Sequence, residues 1–186
     1  YLSMRFLDVA LNGLFPVADS SVKGIGTDGT LLSFETGYIC GWYRRNPVYV
    51  NRMILHETFH CLFVHPWSRK KRAEEYWNLA CDIAVESLID GIHKPCGHLP
   101  MSPVRAEFYG RLRKKIKVLN AESIYHAMQE MELSEIEYER LCREFCRDDH
   151  SGWEKEDEKK SPNPNRNRKN DWDDKREKMQ AEMEAF

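Results

Sequence analysis

No apolar run in this 186-residue chain approaches the roughly 20 residues that a membrane-spanning helix needs, so no membrane partner is expected. An excess of one charge is also missing. The 28 Lys and Arg residues against 30 Asp and Glu leave a net charge of −2, which gives no global pull toward nucleic acid or an anionic surface. The six cysteines, Cys40, Cys61, Cys81, Cys96, Cys142 and Cys146, form no CxxC pair and no spacing that suggests a disulfide scaffold. A reducing, cytoplasmic setting is the expectation. Cys142 and Cys146, four apart, read as a helical pair rather than half a metal site, because no second pair lies near. Gly24-Ile25-Gly26-Thr27-Asp28-Gly29 has no GK[ST] after it and leads toward a strand, which argues against a phosphate loop. No secretory signal is visible. The chain starts at Tyr1, so a trimmed N-terminus is expected and a missing leader carries little weight. There is no internal repeat.

What is present reads as one mainly helical domain over residues 1–153, followed by a charged linker or tail over 154–186. Apolar residues at helical spacing (Leu2, Phe6, Val9, Ala10, Leu14) predict an opening helix over 2–14, with Pro16 just past its end. The glycine-rich turn followed by Leu31-Leu32-Ser33-Phe34 predicts a hairpin or a strand entered from a loop, with residues 38–42 continuing the small sheet or its connection. Asn46-Pro47 is a helix start, a capping side chain and then proline in the first turn, and predicts a helix from 47 to about 64. Further helices are expected over 73–90 with Gly91 as the stop, over 104–118, from a cap at Asn120 to about 131, and from a capping box at Ser134 to about 146. The basic runs 69–72 and 111–117 are short and lack interleaved aromatics, so they read as solvated faces rather than a nucleic-acid patch. Charge and then Asn, Pro and Arg dominate 154–170, which reads as a linker. Residues 173–185 could form an exposed helix.

Chemistry concentrates in His56-Glu57-Thr58-Phe59-His60-Cys61-Leu62-Phe63-Val64-His65-Pro66, which carries three of the seven histidines. On a helix His56 and His60 share one face, so both imidazoles can reach one ion, and Glu57 can reach a water beside it. That is the physical content of HExxH: two zinc ligands and a general base. A core helix with chance histidines would need other partners for two imidazoles and a carboxylate among Ile54, Leu55, Phe59, Leu62 and Phe63. A catalytic zinc takes a third protein ligand and keeps one position open. Asn78, Asp82 and Glu86 form a polar stripe at i, i+4, i+8 on the next helix, and Asp82 is the preferred third ligand. Asn78 and His65 remain as alternative ligands or supporting residues. His65 lies roughly 7–8 Å along the axis from His60, so it needs a chain reversal after Val64 that no glycine eases.

With these residues in place, the chain resembles the metallopeptidase domain found N-terminal to von Willebrand factor A-like domains in bacterial proteins. The resemblance rests on Thr27-Asp28-Gly29, the HExxH stretch, Trp77-Asn78-Leu79-Ala80-Cys81-Asp82, Ala121-Glu122-Ser123-Ile124-Tyr125 and Asp148-Asp149-His150-Ser151-Gly152-Trp153, in that order over residues 1–153. It implies an α+β, zincin-like fold with a small sheet packed on the active-site helix. It also implies zinc at His56 and His60, Glu57 as base, and a return of His150 to the site as oxyanion donor or ligand. Only the charged tail follows residue 153, whether a von Willebrand A-like domain has been cut away or this member stands alone, and that puts in doubt a partnership with an AAA+ ATPase. The functional expectation is a zinc metallopeptidase acting on proteins or peptides. The alternative is a catalytically silent, zinc-stabilised interaction module on the same scaffold, with a protein partner reached through the charged tail.

Overall fold

The structure, a computed structural model, describes residues 7–153. It is α+β: among the described residues there are seven α-helices and a three-stranded mixed sheet. A short helix α1 (Asp8–Asn12) leads into β1 (Phe15–Ala18), and β2 (Ile25–Thr27) and β3 (Leu31–Phe34) form an antiparallel hairpin. β1 pairs parallel to β3, giving the order β1-β3-β2. Pro16 therefore sits inside β1 rather than merely ending a helix. An edge strand tolerates it, since proline removes one ladder donor.

Residues 38–42 do not continue the sheet. They belong to α2 (Thr36–Arg45), where the Glu35 side chain caps the first turn by accepting from the Gly37 and Tyr38 amides. The aromatic residues there stand at i, i+4, a helical spacing that brings Tyr38 and Trp42 together edge to face. α3 (Pro47–Leu62) starts as predicted, with Asn46 Oδ1 accepting from the Val48 amide. It ends two residues earlier than the sequence suggests. Val64 adopts φ 61° and ψ 26°, a left-handed turn costing roughly 1–2 kcal/mol in a residue that is not glycine, and a 3-10 turn follows over His65–Trp67. The reversal that glycine would have eased is made by valine.

α4 (Glu74–Ile92) is the central helix. Every residue from Leu79 to Glu86 is buried, and it packs against α3, against α6 (Ala121–Glu130) and against α7 (Glu135–Phe145). Gly91 lies within its last turn, and His93, at φ 51°, makes the left-handed stop instead. α5 (Pro103–Lys115) completes the helical layer. One core joins α4, α5, α6 and α7 through Trp77, Ile83, Phe108, Leu112, Ile124 and Phe145. A second, with Leu55, Phe59, Val85 and Ile89, locks α3 to α4. A third, with Leu14, Ile25, Leu32 and Met53, seats the sheet on α3. The predicted tail helix and the 154–186 segment lie outside the described residues, as does the start of the predicted opening helix.

Candidate metal centre

α3 and α4 pack side by side, so the HExxH face of one meets the polar stripe of the other. His56 and His60 stand one turn apart, with their Nε2 atoms 2.8 Å from each other. Asp82 Oδ1 lies 3.6 Å from His56 Nε2 and 3.4 Å from His60 Nε2. The fourth member of the group is a residue that the sequence reading did not single out. Asp148 places Oδ1 3.5 Å from His56 Nε2 and Oδ2 3.8 Å from His60 Nε2. Four ligands about 2.0–2.1 Å from a tetrahedral ion stand roughly 3.3 Å apart, and the observed separations bracket that value. Together His56, His60, Asp82 and Asp148 form a donor group that could hold a metal ion.

The chemistry of the donors fits a cation. Both oxygens of Asp82, of Asp148 and of Glu57 are buried without a hydrogen bond, as is His150 Nε2. Glu57 has no donor, and Asp82 and Asp148 face only imidazole nitrogens, a costly arrangement that a divalent ion could offset. The arginines nearby are already engaged. Arg52 donates to Glu86 and Asp90, and Arg105 to Glu86, Asp90 and Glu144, while Tyr109 donates to Asp90 Oδ2 at 3.1 Å.

The imidazoles are oriented from behind. His56 Nδ1 is 2.8 Å from Glu86 Oε1, and His60 Nδ1 is 3.0 Å from His65 Nδ1. With Nδ1 held by these partners, each Nε2 faces the other donors, the arrangement typical of metal-bound histidine. The chain reversal at Val64 thus brings His65 to the far side of the His60 ring, away from the donor group. Asn78 is half-buried one turn before Asp82 and is not among the four donors.

His150 arrives from the other end of the chain. Asp149 donates its amide to Ile25 O at 2.7 Å and accepts from the Lys23 amide, so the segment docks on the free edge of β2. Gly26 makes that possible, since a Cβ there would lie 2.3 Å from Asp149 O. The backbone at Asp149 is extended, which puts Asp148 and His150 on the same side. His150 Nε2 is 2.8 Å from Asp148 Oδ2 and 3.1 Å from Asp82 Oδ1, and the Trp153 ring lies 3.9 Å from the His150 ring. The signal for Asp148 was in the sequence: an acidic residue two positions before a histidine in an extended stretch.

Burial shapes the charge states. It pushes the pKa of His60 down to about 4, with the charge of His56 adding to the effect, and it pushes that of His65 down to about 3, with His60 adding to it. Both are neutral imidazoles at pH 7. Burial opposes charge on His56, but Asp148, Asp82 and Glu86 outweigh it and hold its pKa well above the usual range. Burial raises the Glu57 carboxyl, and the neighbouring Asp148 charge raises it further.

Residues 4–185 match the family described as "Putative metallopeptidase domain". The chain belongs to this family. No curated protein and no solved structure matches it. Among the described residues, no helix is long and apolar enough to cross a membrane.

Proposed function

We propose that the chain is a zinc-dependent peptidase that hydrolyses peptide bonds in proteins or peptides. The observation that carries this reading is the position of Glu57. Its carboxylate is buried, has no hydrogen-bond partner, and lines a cavity beside His56 and Asp148. A structural metal site has no use for such a group.

In this reading His56, His60 and Asp82 hold the ion. Bound there, zinc supplies Lewis acidity, polarising a carbonyl and lowering the pKa of water to about 7. Glu57 takes a proton from the attacking water and passes it to the leaving amine. The water oxygen joins the carbonyl carbon, the C–N bond breaks, and the products are a carboxylic acid and an amine. His150, whose Nε2 reaches the edge of the donor group, donates to the oxyanion. Arg52 and Arg105 act at one remove, by fixing Glu86 and through it the ring of His56.

A second reading has its own observation. Asp148 offers a fourth protein donor, and four protein ligands close a structural zinc site. The chain would then be a metal-stabilised interaction module. The experiment is zinc loading followed by digestion of a broad peptide library, with Glu57→Gln in parallel. Cleavage by the native chain that falls about 10²–10⁴-fold in Glu57→Gln, with zinc retained in both, supports the peptidase. A zinc-loaded native chain inert on the whole library, or unchanged cleavage by Glu57→Gln, removes it.

A further inference from the structure

Beside the donor group lies a largely apolar cavity of about 70 Å³ whose walls come from several separate parts of the chain. Tyr38 and Trp42 enter from α2, Tyr49 and Met53 from α3, and Leu99 from the connection between α4 and α5, while His56, Glu57 and Asp148 form its metal-facing side. No residue of α2 is buried, yet its rings are held in place. Trp42 meets Tyr38 at 6.2 Å edge to face and Tyr49 at 4.8 Å, and Arg45 lies over the Trp42 ring. Half-buried rings fixed against one another around a void form a preorganised wall rather than a close-packed core. The cations that touch the cavity do not make it an anion site. Arg52 and Arg105 are neutralised by Glu86 and Asp90, and Arg147 is exposed to solvent.

Resting on the peptidase reading, we infer that this cavity receives the side chain of the substrate residue next to the scissile bond and selects a branched aliphatic residue of leucine or valine size. Position decides the role: the cavity shares Glu57 and His56 with the reaction centre, so a carbonyl held there places its neighbouring side chain within reach of Trp42 and Met53. Size decides the residue. A cavity of about 150 Å³ is what takes up a benzene ring. Half that volume suits three or four aliphatic carbons, the side chain of valine or leucine, and is too small for an indole.

The experiment has two arms. Cleavage by the zinc-loaded full chain is measured on peptides varied at one position through Gly, Ala, Val, Leu, Phe and Trp. Binding of dipeptide hydroxamates with Gly, Leu or Trp side chains to the same protein is measured by calorimetry, which needs no turnover. Leu is expected to exceed Gly and Trp by roughly tenfold or more in both arms, since a single methylene in such a pocket is worth 10–200-fold. Trp42→Ala and Leu99→Ala, on different elements, should each move the preference toward Phe and Trp by roughly tenfold, with zinc stoichiometry as the check on folding. Hydroxamates that bind without side-chain preference, that fail to bind, or that keep the native ranking in both variants overturn the pocket. Absent cleavage with the hydroxamate ranking intact overturns the peptidase reading and leaves the pocket standing.

Discussion

Each ring in the donor group has one nitrogen facing the other donors and one held from behind, and the two roles predict different losses on mutation. Asp82 Oδ1 sits within 3.6 Å of Nε2 of both His56 and His60, whereas His65 touches only the Nδ1 of His60. Removing a residue that orients a ligand typically costs 10–100-fold in metal affinity. His65→Ala should therefore weaken zinc binding by about that much, and Asp82→Ala should weaken it further. The check is zinc stoichiometry in the purified variants under a graded chelator. If His65→Ala empties the site while Asp82→Ala keeps its metal, a three-histidine site replaces this assignment. Asp148→Ala separates the two functional readings. In a closed structural site it should cost as much metal as Asp82→Ala. In an open catalytic site it should cost less and leave zinc in place.

At the scale of elements, the site depends on a close approach outside the HExxH helix. Gly26 lets the 148–153 segment lie on β2, and Gly26→Ala would drive a methyl group into the Asp149 carbonyl. Overpacking of this kind costs about 1–3 kcal/mol, and here it should also displace Asp148 and His150. The expected result is a lower melting temperature together with lost activity, while His56, His60 and Asp82, on α3 and α4, still bind zinc. A second element-scale test is the buried charge network that holds Glu86. Arg105→Met leaves Glu86 and Asp90 short of a partner in the interior, and breaking such a network should destabilise by about 3–5 kcal/mol, measured by denaturant unfolding. The elements themselves were mostly legible from the sequence, because caps are local: Asn46, Asn120 and Ser134 each bond the amides that the pattern predicted. Residues 38–42 were misread because a short apolar-aromatic run fits strand and helix equally, and the Glu35 cap that settles it is not a strong N-cap type. Asp82 was legible from an acidic residue among apolar neighbours. Asp148 carried a weaker signal, an acidic residue two positions before His150, and its role depends on a segment more than sixty residues away folding back across β2.

At the scale of the molecule, among the described residues, the site is a polar point of the interior where three parts of the chain meet. α3, α4 and the 148–153 segment meet there, and each brings at least one buried carboxylate: Glu57, Asp82 and Asp148. Without an ion, Asp82 and Asp148 are charges in a medium that solvates neither, only the nearby imidazoles offset them, and burial together with Asp148 pushes Glu57 toward its neutral form. Burial works against ionisation of Asp82 and Asp148, yet His150 holds the carboxyls of both below their usual range, so both remain charged near neutral pH. A metal that binds only the folded chain therefore stabilises all three parts at once. At a free concentration about 1,000 times its dissociation constant, linkage gives about 4 kcal/mol. For a domain of this size each kcal/mol moves the melting temperature by about 2–4 °C, so chelation should lower it by about 8–16 °C. The measurement is a thermal melt of the zinc-loaded chain before and after a chelator, with readdition of zinc as the control. Asp82→Ala should melt at the same temperature with or without chelator, since its site no longer holds the ion. A native chain whose melting temperature ignores both chelator and added zinc would mean that the buried carboxylates are satisfied some other way, and the metal centre would have to be abandoned.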